Sequence, residues 1–329
     1  MDPATIFCPN LACPARGQTG QGNGRLHSRQ DRRFMCTEGH KTFSATKGTA
    51  FYRLQTSAET VSLVVTLRAH GCPLQAMVVA CGDDERTVAC WLGRAGVPGQ
   101  AVQEHLVEQR RDLGQVQADE IRVKKQGGVV WMALALMGKT RLWVAGEVSA
   151  PRAMTLIRPL IQRVRACALH RPLLFWTDGR CSDLRALREP CRDPVRTGEQ
   201  GHPRLRPWRH LCLAQVVKRD AQRRGIASER RMVEGTPTRL ETLRRRSQGA
   251  GVSTTADSAR LNATFRERLA SRTRRGRALA RRTETWQHGR PLLGTVSHFC
   301  PPQASLSTAG ITTPAMAAGV TDQWWSVRA

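Results

Sequence analysis

Two groups of residues in this 329-residue chain combine types and spacings that can do chemistry. The first is CPNLAC, with Cys8 and Cys13, followed by Cys36 in CTEGHKTF. A tetrahedral zinc ion needs two knuckles that each present two ligands. Cys8 and Cys13 form a loose first knuckle, Cys36 opens the second, and His40 is the nearest candidate for the fourth ligand. Gly39 stands where a CxxC knuckle would place its second cysteine. The alternative is therefore a site that has lost a ligand and holds Zn2+ weakly or not at all. Metal binding can contribute on the order of 10 kcal/mol to the folding of such modules.

The second group is acidic. Asp119 and Glu120 lie within the strand-like VQADEIRV, and Asp178 closes the apolar run LLFWTDG. Carboxylates brought together from adjacent strands repel each other unless they bind a hard cation such as Mg2+ or Mn2+. Two such ions activate an oxygen nucleophile and stabilise the leaving oxygen in phosphoryl transfer. Glu120 should face the other side of its strand, because neighbours alternate. Pairing of each acid with one of the many arginines is an equally open reading.

The background to these acids is strongly basic. Lys and Arg total 52 against 26 Asp and Glu, giving a formal net charge of +26, and only six of the 52 are lysine. Such a chain calls for a polyanionic partner, and nucleic acid leads because guanidinium groups pair bidentately with phosphate. The mean hydropathy is −0.41. No stretch approaches the 18 or so apolar residues of a membrane span. MDPATIF lacks a basic stretch leading into an apolar run, so it does not read as a signal peptide. Eleven cysteines without that signal point to a reducing cytoplasm.

Residues 1–50 are too poor in apolar runs to build a core and need a staple. Residues 55–96 read as three short helices, with Ser57 as the first N-cap. PLQAMVVACGDDERTVACWLGRAG has helix-turn-helix spacing. In it Met77, Val78, Cys81, Val88 and Trp91 face inward, Gly82 makes the turn, and Arg86, Thr87 and Arg94 face a DNA groove. Residues 97–115 read as a polar helix and linker. Three strands fill 116–150, then a helix at 152–168, a strand at 173–179, a helix at 183–193 and a strand at 211–219. The stretch 199–210 reads as a basic loop, 220–254 as irregular, and 258–283 as a strongly basic helix. On that helix Arg268, Arg272, Arg275 and Arg282 fall within about 80° of one another, forming a ridge for phosphates.

The chain resembles a bacterial insertion-sequence transposase of the DDE type, of the insertion-sequence-one-like group. The stretches that carry the likeness are RFMCTEGHKTFSATKGTAFYRLQT, ERTVACWL, VQADEIRVK, RLNATFRERL with RRGRALAR, and GTVSHFC followed by TPAMAAGVTD. The resemblance implies a zinc-ribbon-like module over 1–50 and a helix-turn-helix domain over 55–96. After a linker over 97–115 it implies an RNase H-like core over 116–290, an α/β fold with a mixed sheet flanked by helices, and a tail over 291–329. It makes Asp119 and Asp178 the first two acids of a catalytic triad that holds Mg2+ or Mn2+. The triad's glutamate belongs three residues before Asn262, where this chain has Ala259. Asp257 lies about 200° around the helix from that position, and Glu267 about 12 Å along it, so neither replaces the missing acid. Asp183, Asp257, Ser258, Gln303 and Gly39 also depart from the family pattern, which is the signature of a degenerate copy.

The resemblance implies double-stranded DNA as partner, both element ends and target, self-association on that DNA, no membrane, and a bacterial, nucleoid-associated cytoplasmic location. Two functions follow as expectations. One is a transposase that cleaves and joins DNA strands, impaired at Ala259. The other is a non-catalytic DNA-binding protein or repressor of transposase descent. An arginine-rich RNA-binding protein is disfavoured, because the aromatic stacking platforms of RNA readers are absent.

Overall fold

The computed structural model describes residues 2–10, 12–15, 18–125, 128–152, 154–178, 184–195, 202–221, 224–248, 263–264, 268, 284–306 and 312–327. Near the N-terminus, β1 (Gly24–Ser28), β2 (Arg33–Cys36) and β3 (Thr42–Ser44) form an antiparallel sheet in that order. Alternation along RFMC buries Phe34 and Cys36, which join Cys8, Cys13, Ala15 and Phe43 in a small cluster.

Three helices follow. α1 (Ala58–Ala69) starts at Ser57, whose Oγ accepts the Thr60 N–H at 3.1 Å. α2 (Leu74–Cys81) ends at Gly82, whose φ of 69° is the left-handed turn that only glycine adopts without strain. α3 (Glu85–Val102) is capped by Asp84, which accepts the N–H groups of Arg86 and Thr87 at 2.7 and 3.0 Å. Met77, Val88 and Trp91 are buried between these helices with Val61, Val64 and Val65. The helix does not stop at residue 96: α3 runs on past Pro98, and a π-helical turn continues to Val107. Most of the expected linker is thus helical.

The large unit is a six-stranded mixed sheet flanked by helices. Its strands are β4 (Gln115–Lys125), β5 (Gly128–Met137), β6 (Trp143–Ser149), β7 (Leu173–Asp178), β10 (Leu211–Ala221) and β11 (Arg224–Glu234). Across the sheet the order is β11-β10-β7-β4-β5-β6. β4, β5 and β6 are antiparallel, β7 runs parallel to β4, β10 parallel to β7, and β11 antiparallel to β10. α4 (Met154–Cys167) covers one face with Leu156, Leu160, Ile161 and Val164. α6 (Pro237–Gln248) and α7 (Glu284–Phe299) cover the other, through Leu243 against Trp176 and Leu293 against Trp143. A short helix α5 (Leu184–Arg188), a small hairpin of β8 (Arg192–Val195) and β9 (Arg204–Pro207), and α8 (Pro314–Ala317) complete the described elements.

Other expectations change as well: the helix expected over 183–193 ends at Arg188, and Arg192 and Asp193 open β8. The basic loop at 199–210 contributes β9 of the hairpin. The arginine-heavy 220–254 holds β11 and α6. Among the described strands β11 is at the edge of the sheet, where charged side chains are the natural filling. The expected boundary between residues 290 and 291 falls inside α7. This helix buries Leu292 and Val296 among α1–α3 while Leu293 packs on the large sheet. Gly99 of α3 lets the two helices touch, because a β-carbon there would sit 3.1 Å from the Leu292 nitrogen.

Candidate functional site

The two aspartates reach one place through strand register. β4 and β7 pair in parallel from Gln115↔Leu174 to Ala118↔Thr177. One step further along both strands come Asp119 and Asp178, so they are level on neighbouring strands. They belong to the same alternation, that of Gln117 on β4 and Trp176 on β7. Adjacent strands lie about 4.8 Å apart. Carboxylates on neighbouring strands are the kind of oxygen donor that Mg2+ or Mn2+ takes.

Glu120 belongs to the opposite alternation, with Ala118. Arg152 Nε donates to its Oε2 at 2.6 Å, and the same guanidinium lies 4.7 Å from the Trp131 ring centre. Glu120 is therefore a structural ion-pair partner, as strand alternation predicts. Arginine pairing also accounts for many other acids. Arg163 meets Glu147 at 3.0 Å and Glu108 at 3.6 Å, and Arg188 meets Glu234 at 3.0 Å. Burial nevertheless raises the Glu108 carboxyl above its ordinary pKa. Asp119 Oδ1 accepts the Glu120 N–H at 2.7 Å. Ala259, the position expected for the third acid, lies outside the described residues.

The cysteines converge as the spacing predicts. The sulfurs of Cys8, Cys13 and Cys36 all lie within 4.8 Å of one another and are buried. Cys13 Sγ is 3.7 Å from Cys36 Sγ. A tetrahedral zinc ion with Zn–S bonds of about 2.3 Å has S···S edges of about 3.8 Å, so the donor set fits. Burial pushes the Cys8 thiol up to about 11. It acts the same way on Cys36, but the N–H groups of Gly39 and Glu38 outweigh it and leave that thiol below its ordinary pKa.

His40 is not brought to this group. It is exposed at the end of the Cys36 turn, with φ at 49°, and its backbone N–H donates to Cys36 O at 2.9 Å. Gly39 holds the approach instead: a β-carbon built there would lie 3.0 Å from Cys13 Sγ. The fourth corner of the site thus opens toward a residue that has no side chain to offer.

The helix-turn-helix residues differ among themselves. Arg86 is exposed and Arg94 is half-buried. Thr87 is drawn into the helix cap, where its hydroxyl donates to Asp84 Oδ2 at 2.6 Å. Of the expected basic ridge only Arg268 is described, half-buried, with Nη1 3.5 Å from Ser297 Oγ of α7. Arg272, Arg275 and Arg282 lie outside the described residues.

The sequence reading missed a basic cleft of about 610 Å3 beside the three-stranded sheet. Arg32, Arg33, Lys47 and Arg53 line it, opposed by Asp31. Arg33 Nη2 donates to Thr42 Oγ1 at 2.6 Å, while Arg32, Lys47 and Arg53 are exposed. Arg32 and Arg53 have φ values of 49° and 57°, conformations that cost free energy in any residue but glycine. The Arg53 guanidinium stacks 5.3 Å from the ring of Tyr52, the single tyrosine of the chain. The signal lay in RQDRRF and KGTAFYR, two basic stretches on either side of the Cys36 turn.

Among the described residues, no helix is long and apolar enough to cross a membrane. Compared with protein-family models and with curated proteins, the chain matches neither.

Proposed function

We propose that the chain is a duplex-DNA-binding protein of insertion-sequence transposase descent, with a metal-dependent strand-transfer site that has lost one acid. The observation that carries this reading is the level of Asp119 and Asp178 on adjacent parallel strands in the middle of the sheet. The order β6-β5-β4-β7-β10, three antiparallel strands followed by two parallel ones, supports an RNase H-like core. Arg86, Arg94 and the cleft of Arg32, Lys47 and Arg53 supply cationic surface for phosphates.

Asp119 and Asp178 would hold Mg2+ or Mn2+, which when bound activates a water or 3′-hydroxyl oxygen and stabilises the leaving oxygen. The two aspartates bring two negative charges, Ala259 brings none, and Glu120 is committed to Arg152. A non-catalytic reading, a DNA-binding repressor of related elements, is favoured by Ala259. Self-association on paired DNA ends belongs to both readings through the family resemblance.

Strand transfer by the full chain on a cognate DNA end tests the proposal. The unaltered protein is expected to show little activity. Ala259→Glu should raise it by at least tenfold, equivalent to about 1.4 kcal/mol of barrier, and Asp119→Asn should remove the gain. Robust metal-dependent cleavage by the unaltered protein would overturn the impaired-site reading.

A further inference from the structure

The basic cleft beside the three-stranded sheet has a second kind of lining, which phosphate contact alone does not use. Its cations are Arg32, Arg33, Lys47 and Arg53, four against the single acid Asp31. Asp31 is engaged within its own turn, where its Oδ2 accepts the Ser28 hydroxyl at 3.0 Å. Beside these charges the cleft is lined by two aromatic side chains, Phe51 and Tyr52. Both are half-buried, so neither is sealed in a core. Phe51 and Leu54 pack against the cluster of α1–α3. The cleft therefore lies at the joint between the three-stranded sheet and the three-helix module.

A second observation concerns how the arginines are held. Arg32 and Arg53, on separate segments of the chain, both have left-handed backbones, with φ of 49° and 57°. Such residues cost free energy and persist where the surrounding structure fixes them. Arg32 is fixed at both ends: its N–H donates to Arg29 O at 3.3 Å, and its carbonyl accepts the Ala45 N–H at 3.3 Å. Arg53 keeps its guanidinium 5.3 Å from the Tyr52 ring centre. Guanidinium and phenol are both flat, and a base can stack on either, because every base has a π-face.

A duplex brings to such a cleft only the phosphates of its outer surface, since its base faces are stacked on one another. An unpaired nucleotide brings a phosphate for the cations and a free base face for the rings. The volume of about 610 Å3 lies within the range of about 300–1,000 Å3 that encloses ligands of nucleotide size. We propose that the cleft binds an unpaired stretch of DNA strand that continues from a bound duplex. A base stacks on the Tyr52–Arg53 pair, and its phosphates meet Arg32 and Lys47. The inference rests on the duplex-DNA reading above. It adds to that reading a preference for a junction between paired and unpaired DNA.

The test titrates the full chain with three probes of equal paired length: a blunt duplex, the same duplex with a short unpaired thymidine overhang, and one whose overhang is abasic. The abasic overhang carries the phosphates without the bases. The thymidine overhang is expected to bind at least about fivefold more tightly than the abasic one, the effect of a single base stack. Tyr52→Ser should remove that difference, and Tyr52→Phe should restore it. Because Tyr52 is the single tyrosine, 3-fluorotyrosine gives the otherwise unaltered chain one fluorine resonance. That resonance should move with the thymidine overhang and stay in place with the abasic one. Equal binding of the two overhangs, with the resonance unmoved and the blunt duplex still bound, overturns the cleft and leaves the duplex reading standing. An unpaired thymidine strand that moves the resonance, in a chain with no affinity for the blunt duplex, supports the cleft and overturns the duplex reading. Tighter binding of an unpaired RNA strand than of DNA of the same length overturns the assignment to DNA.

Discussion

The Trp143 indole is wedged against Gly294. A β-carbon on Gly294 would sit 2.4 Å from Trp143 Cζ3, and one on Gly146 would sit 2.6 Å from Cζ2. The ring is fixed between β6 and α7, with its Nε1 donating to Ala145 O and Arg290 lying 5.9 Å from the ring centre. Gly294→Ala should therefore force α7 off the sheet. A loss of about 1–3 kcal/mol is expected, the usual cost of overpacking a filled core. Denaturant unfolding of the full chain measures it, and an unchanged midpoint would show that the contact yields without strain.

The cluster of Cys8, Cys13 and Cys36 should be improvable as a metal site. Gly39→Cys supplies a thiol at the open corner, so competition with a chromophoric chelator should show at least tenfold tighter Zn2+ binding than the unaltered chain. Cys36→Ser should abolish binding, and His40→Ala should leave affinity where it was. Equal affinities for the unaltered and Gly39→Cys chains would mean that another residue already fills the corner.

Phosphate contact by the ribbon-side cleft should appear in the salt dependence. Each neutralised phosphate contributes about −0.9 to the slope of log K against log salt. Replacing both Arg32 and Arg53 by Ala should weaken duplex binding and flatten the slope by up to about 1.8. A slope identical to that of the unaltered chain would exclude the cleft from the interface.

Acid should weaken the fold through His298. Its ring is fully buried, Nε2 accepts the Trp143 N–H at 3.2 Å, and burial lowers its pKa from 6.5 to about 4. The unfolded chain therefore takes up this proton first as pH falls. The stability tied to His298 is whole above pH 6.5 and declines toward pH 4, by about 3 kcal/mol in all. His298→Gln keeps an acceptor for Trp143 and should lose that dependence. Parallel pH profiles of unfolding for the two proteins would refute the assignment.

Much of the sheet was legible because its strands are long apolar runs ending in recognisable turns. LLFWTD and VQADEIRV announced both their strands and the acids they carry, Asp178 at the end of one and Asp119 and Glu120 within the other. What stayed hidden has local physical causes. β11 carries Glu229, Arg230 and Arg231 in mid-strand, since an edge strand needs little apolar content. α7 contains Pro291 and Gly294, which read as helix breakers, yet Gly294 is the residue that lets Trp143 approach. His40 has suitable chemistry and spacing for a metal ligand, but the turn after Cys36 leaves it exposed. No residue count predicts such a turn. The hydroxyl of Thr87, expected to face a DNA groove, also donates to the Asp84 cap.

Because α7 supplies Leu292 and Val296 to the cluster built by α1–α3, the helix-turn-helix is finished only by the far end of the chain. Roughly 200 residues separate α3 from the end of α7, about 10–40 s of synthesis at about 5–20 residues per second. Throughout that interval the nascent helices expose the apolar surface that α7 later covers. A product cut short before residue 284 keeps it exposed, which makes it a substrate for chaperones and proteases. Completion of the reading frame is thereby built into the architecture as a condition for a fully packed three-helix module.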